Sequence, residues 1–168
     1  MKTAVMFAIH PTFCRQIMDG SKKMEVRLSR PKADPPFKCY IYRTKRGLNP
    51  DEEFGVIGEF ICNDITIFDV PYPAFQHQLD SNILKLSCLS YYQLHHYAYH
   101  DPLYGIHISD VKAYSKPRAI TDFRGICPND LSCESCAMYN NYREQCMNGA
   151  LYKKCPPQSW YYVEELED

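Results

Sequence analysis

No stretch of this chain approaches the ~20 consecutive apolar residues that a membrane-spanning helix requires. The apolar run Thr3–Ile9 after Met1-Lys2 is also a poor secretory leader. It is minimal in length, His10-Pro11 cuts it, and no small-residue cleavage site follows. Internal repeats and low-complexity tracts are missing, which excludes a repeat array. Charge of one sign is missing overall, since 19 Lys and Arg face 20 Asp and Glu for a net of −1. There is one Trp. An even set of cysteines is lacking as well, and nine fit a disulfide framework badly. Without a secretion signal the thiols belong in a reducing cytoplasm, where metal binding outranks disulfide formation.

What is present describes one soluble domain. A length of 168 residues with 45% hydrophobic and 23% charged residues supports a sizeable core and leaves no room for two full domains. The neutral total hides an asymmetry. Residues 1–50 carry eleven Lys and Arg against three Asp and Glu, a net of +8, and residues 51–168 carry −9. That imbalance points to one positive face, unless folding mixes the two parts. Fourteen Tyr add stacking surfaces, most of which belong in core and sheet.

Five of the cysteines, Cys127, Cys133, Cys136, Cys146 and Cys155, are separated by five, two, nine and eight residues. A C-x-x-C pair with further thiols on both sides is the spacing of a tetrahedral structural zinc site. The expected ligands are Cys127, Cys133, Cys136 and Cys146, with Cys155 as an alternative. Four thiolates leave no open position, so such a site staples structure and does no chemistry. Five free thiols on a long loop is the competing reading, but a loop of about thirty residues needs an anchor. Cys14, Cys39, Cys62 and Cys88 sit in apolar contexts and read as small core residues.

The chain order of elements follows from local signals. Thr3–Ile9 has strand length. His10-Pro11-Thr12 opens a helix with Cys14, Ile17 and Met18 on the face of Phe13, and Gly20 closes it. Met24, Val26 and Leu28 alternate with Glu25, Arg27 and Ser29, which predicts a strand with one buried and one polar face. Strands are expected over 38–43, 55–68 (bent near Cys62-Asn63-Asp64), 104–114 (ended by Pro117) and 158–165. Residues 71–80 read as irregular. Ser90-x-x-Gln93 is a capping box that opens a second helix through Leu94 and Tyr97. About six strands and two helices make an α+β fold, a small, mostly antiparallel β-barrel with helices at its rim.

Gly20-x-Lys22-x-x-Glu25-x-Arg27, directly after a short first helix, resembles the signature of the ASCH family, small RNA-associated proteins of the PUA-like superfamily. Further landmarks agree in order and spacing: Tyr40-Ile41-Tyr42, Val56-Ile57-Gly58-Glu59-Phe60, Cys88-Leu89-Ser90-Tyr91, Tyr104-Gly105-Ile106-His107-Ile108-Ser109 and Pro157-Gln158-Ser159-Trp160. Their colinearity over nearly the whole chain carries the resemblance. It implies a single PUA-like domain over 1–168, with a Cys-rich insert at 124–157 that looks like a bacterial and phage branch of the family.

The same resemblance implies a cleft edged by the first helix and its following loop, where RNA or a modified nucleoside binds. His10, Lys22, Glu25, Arg27, Gln158 and Ser159 are the expected ligand-binding residues. Some small relatives hydrolyse the acyl amide of N4-acylated cytidine with a Lys, a Thr and a Glu. Here Lys22 matches, Glu25 replaces the Thr, and no carboxylate stands at the start of the Ser90 helix. An enzyme reading therefore rests on Lys22, Glu25 and Glu59 as reacting groups. A third reading makes the insert a protein–protein contact surface. Read from spacing alone, Glu25 and Arg27 are an exposed ion pair on one strand face, worth under ~1 kcal/mol, Glu59 is paired with Arg27 or Lys22, and Trp160 is core, with a stacking platform as the alternative. The His95-His96-Tyr97 helix offers an i, i+4 imidazole pair only through His96 and His100, with no acidic partner, so it reads as an aromatic helix.

Overall fold

The run Thr3–Ile9 is apolar without alternation because both of its faces are covered. This strand, β1, sends Val5, Phe7 and Ile9 into one core and Ala4 and Met6 into another on the opposite side of the sheet. A computed structural model describes residues 2–127, 133–143 and 145–166. In it β1 pairs in parallel with β3 (Phe37–Arg43) and antiparallel with β8 (Trp160–Glu164). Beyond β3 lie β4 (Gly55–Phe68), β5 (Leu103–Arg118) and β2 (Met24–Arg27), each pair antiparallel. The sheet order is β2-β5-β4-β3-β1-β8. A separate two-stranded ladder, β6 (Tyr139–Asn140) with β7 (Gln145–Cys146), sits in the Cys-rich segment. Among the described residues no helix is long and apolar enough to cross a membrane.

The mostly antiparallel sheet agrees with the sequence, but the expected barrel is not closed. Register shifts between Val56 and Gly58, between Glu59 and Ile61, and between Cys62 and Ile65 bend the β4–β5 ribbon. The bend at 62–65 is the one read from Cys62-Asn63-Asp64. It curls the sheet until its edge strands β2 and β8 approach, yet no ladder joins them among the described residues. The physical reason is the shortness of β2. Its four residues end at Arg27, and after three more residues the chain enters the proline-bearing segment 31–36, which cannot keep donating to a ladder. Side chains span the gap instead: Trp160 Nε1 donates to the Ser29 carbonyl and hydroxyl at 3.2 Å each. Trp160 is thus a half-buried edge clasp that packs against the main core and meets the Tyr162 ring edge-on at 73°.

Three α-helices lie against this sheet, one more than the sequence suggested. α1 (Pro11–Met18) begins at His10, whose Nδ1 accepts from the Thr12 amide at 3.3 Å, and packs Cys14 and Ile17 onto the main core. Asp19 is its C-cap and Gly20 follows with φ +80°, the left-handed turn that favours glycine. α2 (Ser81–Ser87) was not anticipated; Asp80 caps it by accepting from Asn82 N at 2.8 Å. A 3-10 turn, Pro73–Gln78, precedes it where the sequence read as irregular. α3 (Tyr91–Ala98) has the capping box of Ser90 and Gln93 in full. Tyr91, Leu94 and Ala98 face a second core with Ile83 of α2, Met24 and Val26 of β2, and Leu103.

Two further expectations are corrected. β5 continues past Pro117 to Arg118, because β2 covers only its Tyr104–His107 stretch and leaves the far end an edge that tolerates proline. The polar face of β2 is not solvated: Glu25 and Arg27 are as buried as Met24 and Val26. The outer core is sealed by Phe123, whose ring meets Tyr40 edge-on at 4.9 Å. The chain then leaves the sheet at Gly125 and rejoins it near Leu151, tied by Gly125 N donating to Leu151 O at 2.8 Å. The Cys-rich segment therefore hangs from a narrow stem; residues 128–132 and 144 of the expected insert lie outside the described residues.

Candidate nucleotide-binding cleft

β2 is short, and its Glu25 and Arg27 share one side while Met24 and Val26 anchor it in the second core. The side bearing Glu25 and Arg27 forms the floor of a cleft of about 440 Å³ between α1, the end of β1 and α3. His10 and Phe13 line it from the α1 end; Gln93, His96 and Tyr97 line it from α3.

Three ions are buried together there. Arg27 Nη2 donates to Glu25 Oε1 at 2.9 Å and to the Ala8 carbonyl at 2.8 Å. Lys22 is 1% exposed; its Nζ donates to the Ser87 carbonyl at 2.6 Å and stands 3.5 Å from Glu25 Oε2. Lys22 therefore complements the C-terminal end of α2. Its ammonium also lies over the Phe13 ring, 4.7 Å from the centroid. Burial pushes the Lys22 pKa below its ordinary value, against the opposing pull of Glu25. Two cations and one carboxylate give the floor one unit of positive charge. Two of its atoms, Glu25 Oε2 and Arg27 Nε, are covered from solvent and have no hydrogen-bond partner. A buried polar atom in that state costs about 1–3 kcal/mol, a penalty that a ligand or water supplying partners would recover.

His10 stands at the cleft mouth. With its Nδ1 accepting from Thr12 N, the neutral ring carries its proton on Nε2. A Cβ on Gly47, which has φ +90°, would stand 2.5 Å from that Nε2, so the loop after β3 packs directly on the imidazole. This contact brings the loop that carries Lys45 and Arg46 against His10, while Arg43 is held by Glu52 and the Glu53 carbonyl and the Lys45 ammonium lies over the Phe54 ring. Glu52 ties the same loop down: its carboxylate accepts from Arg15 at 2.7 Å and from Asn49 N at 2.8 Å.

The predicted site residues divide. His10, Lys22, Glu25 and Arg27 come together at the cleft. Ser159 touches it through Arg27 Nη1 at 3.5 Å, while Gln158 is exposed and does not line it. Glu59 lies elsewhere, which corrects both its pairing with Glu25 and its pairing with Arg27 or Lys22. It faces the outer core, accepts from the Tyr114 hydroxyl at 2.5 Å, and meets Lys38 at 3.5 Å and Lys112 at 3.8 Å. Burial, then the hydrogen bond and charge of Glu59, push the Tyr114 pKa up. The sequence missed Phe13, Gln93, His96 and Tyr97. The spacing of the last three on a capped helix marks one face, and that signal was available.

Of the cysteines, Cys14 and Cys62 are core thiols raised chiefly by burial to about 12 and about 11, and Cys39 is raised by the same cause. Such thiols are inert. Cys88 departs from the core reading: it is half-buried and ends α2 at φ 55°. No disulfide joins any of the nine. In the Cys-rich segment, Cys133–Ser135 forms a 3-10 turn with Cys136 N donating to Cys133 O at 3.2 Å. The β6–β7 ladder sets Cys146 opposite Tyr139, and Asn148 N donates to Cys146 Sγ at 3.4 Å. The backbone has the corner that a thiolate site uses, but the side chains are not gathered. Among the described residues no three His, Cys, Asp or Glu converge to hold a metal.

No protein-family model and no curated protein matches the chain in sequence. Solved structures do match in shape. The ASCH protein of Zymomonas mobilis superposes with a TM-score of 0.59 at 20% identity, over 96% of this chain and 88% of that one. A serine-to-alanine variant of it gives 0.63 at 17% identity, over 96% and 89%. A tyrosine-to-phenylalanine variant gives 0.55 at 21%, over 70% and 76%. By fold, this chain is built like the ASCH protein of Zymomonas mobilis.

Proposed function

We propose that the cleft binds RNA or a related nucleotide and holds one base against its floor. The observation that carries this reading is the buried Lys22–Glu25–Arg27 group, with one acceptor, Glu25 Oε2, held only by its 3.5 Å ion pair to Lys22, and one donor, Arg27 Nε, both without a hydrogen-bond partner. A base edge that carries an amino group next to a ring acceptor, as in cytosine or adenine, complements that pair. Phe13, His96 and Tyr97 supply rings, and the His10 Nε2–H and the basic loop beside it supply donors for phosphate. Lys22 acts here by positioning Glu25, since its ammonium is already engaged by Ser87. The test is a titration of cytidine 5′-monophosphate at rising salt. Binding should weaken as salt rises and drop at least about tenfold in Arg27→Ala. Binding that ignores both, or no binding, would refute the reading.

The enzyme reading, hydrolysis of an amide on a modified nucleoside, keeps Lys22 and Glu25 and loses Glu59. It is favoured by one observation, the depressed pKa of Lys22 beside a carboxylate. Turnover of N4-acetylcytidine that disappears in Glu25→Gln would establish it.

For the Cys-rich segment we propose a structural zinc ion held by Cys127, Cys133, Cys136 and Cys146, with Cys155 as the alternative to Cys127 or Cys146. Support comes from the thiol spacing, the Cys133–Cys136 corner and the N–H donated to Cys146 Sγ. The ion would have to draw the thiols together, and it takes no part in the cleft. No observation favours the insert as an adaptor surface.

A further inference from the structure

We propose that a second recess, on the far side of α3, stacks the base next to the one in the cleft, so that the ligand is a single RNA strand and not a free nucleotide. This rests on the reading of the cleft given above. His96 lines both the cleft and this recess of about 260 Å³, so a strand leaving the first enters the second across one imidazole. The recess is walled by Tyr72 and Tyr99, which are 69% and 82% exposed, with His100 beside them. The walls are built. Tyr91 donates its hydroxyl to the Pro71 carbonyl at 2.6 Å, which fixes the segment bearing Tyr72 against α3. Tyr99 and His100 take left-handed backbone, φ 41° and 78°, and pack their rings at 5.5 Å. Holding two non-glycine residues in that conformation costs free energy and keeps both rings off the core.

Charge favours a nucleic acid strand in one orientation. The recess offers tyrosine and histidine rings, suited to a base, while at the His10 end of the cleft the loop that carries the exposed Lys45 and Arg46 packs its Gly47 on the imidazole and is suited to phosphate. Rings on one side of a cleft and cations on the other match the two faces of a single strand.

The experiment compares cytidine 5′-monophosphate, the dinucleotide CpC and its deoxy counterpart on the wild-type chain and on a Tyr72→Ala/Tyr99→Ala double variant. CpC should bind about tenfold tighter than the monophosphate, the size expected for one stacked base. The double variant should lose that advantage and bind the monophosphate unchanged, which also shows that it is folded. Equal wild-type affinity for the monophosphate and CpC would overturn the second recess and leave the cleft reading standing. Equal weakening of both ligands in the variant would overturn it as well. Tighter binding of the deoxy dinucleotide would overturn the assignment to RNA. If no ligand binds the wild type, both readings fall together.

Discussion

Arg27 donates to Glu25 at 2.9 Å from two positions along the same short strand, inside the protein and under a cleft. Exposed, such a pair is worth little; buried, with Lys22 on its other side, it cannot lose its carboxylate cheaply. In Glu25→Gln two buried cations lose the counter-charge they share. Stability should fall by about 3–5 kcal/mol, read as a lower urea midpoint with unchanged slope. An unchanged midpoint would mean that the three ions are not buried together.

Gly47 and His10 make a second testable contact. In Gly47→Ala the new Cβ would meet the imidazole at 2.5 Å, and φ +90° would be strained besides. The ring must move, and with it the cap of α1. A loss of at least ~1 kcal/mol in stability is expected, together with weaker nucleotide binding. Retained stability and affinity would show that the loop does not rest on His10.

Acid should loosen the basic loop before it unfolds the core. The Asn49 amide, then Arg15 and Arg43, hold the Glu52 carboxyl below its ordinary value of 4.5. A depressed folded pKa stabilises the fold above the ordinary value and loses that effect as pH falls through the depressed one. Amide exchange at Asn49 should therefore accelerate on acidification below about pH 4.5 relative to core amides, and Glu52→Gln should remove that step. Exchange that shows no step in the wild type would contradict the tether.

Zinc content gives a fourth prediction. Protein purified without chelator should carry about one zinc per chain, and Cys146→Ser should lower the content and destabilise the Cys-rich segment. Zinc well below one per chain would refute the site.

How much of this the sequence disclosed depends on the range of the interactions concerned. β1 and α1 were legible because their signals are local: an apolar run, His10-Pro11 to start a helix, Gly20 to stop it. α3 was legible from its capping box. α2 is a seven-residue helix with only Ile83 and Ser87 buried, so its apolar periodicity is weak, and only the Asp80 cap marked it. Closure of the sheet was not legible, because it depends on where β2 stops relative to a strand more than a hundred residues away. Glu59 was misplaced for a related reason. Alternation does not say which side of the sheet a residue faces once register shifts lie on both sides of it, between Val56 and Gly58 and between Glu59 and Ile61. Lys22, Glu25 and Arg27 were legible as a group through the signature resemblance. Their burial was not, since an alternating strand looks the same whether helices cover its polar face or water does.

The most direct measurement of the central claim is an amide chemical-shift titration of the isotope-labelled chain with cytidine 5′-monophosphate. Binding on the floor of the cleft predicts that the largest shifts fall on Ala8, Val26, Arg27 and Gln93, which line it, with small shifts for Tyr139 and Cys146. Largest shifts in the Cys-rich segment, or shifts scattered without regard to the cleft, would contradict it.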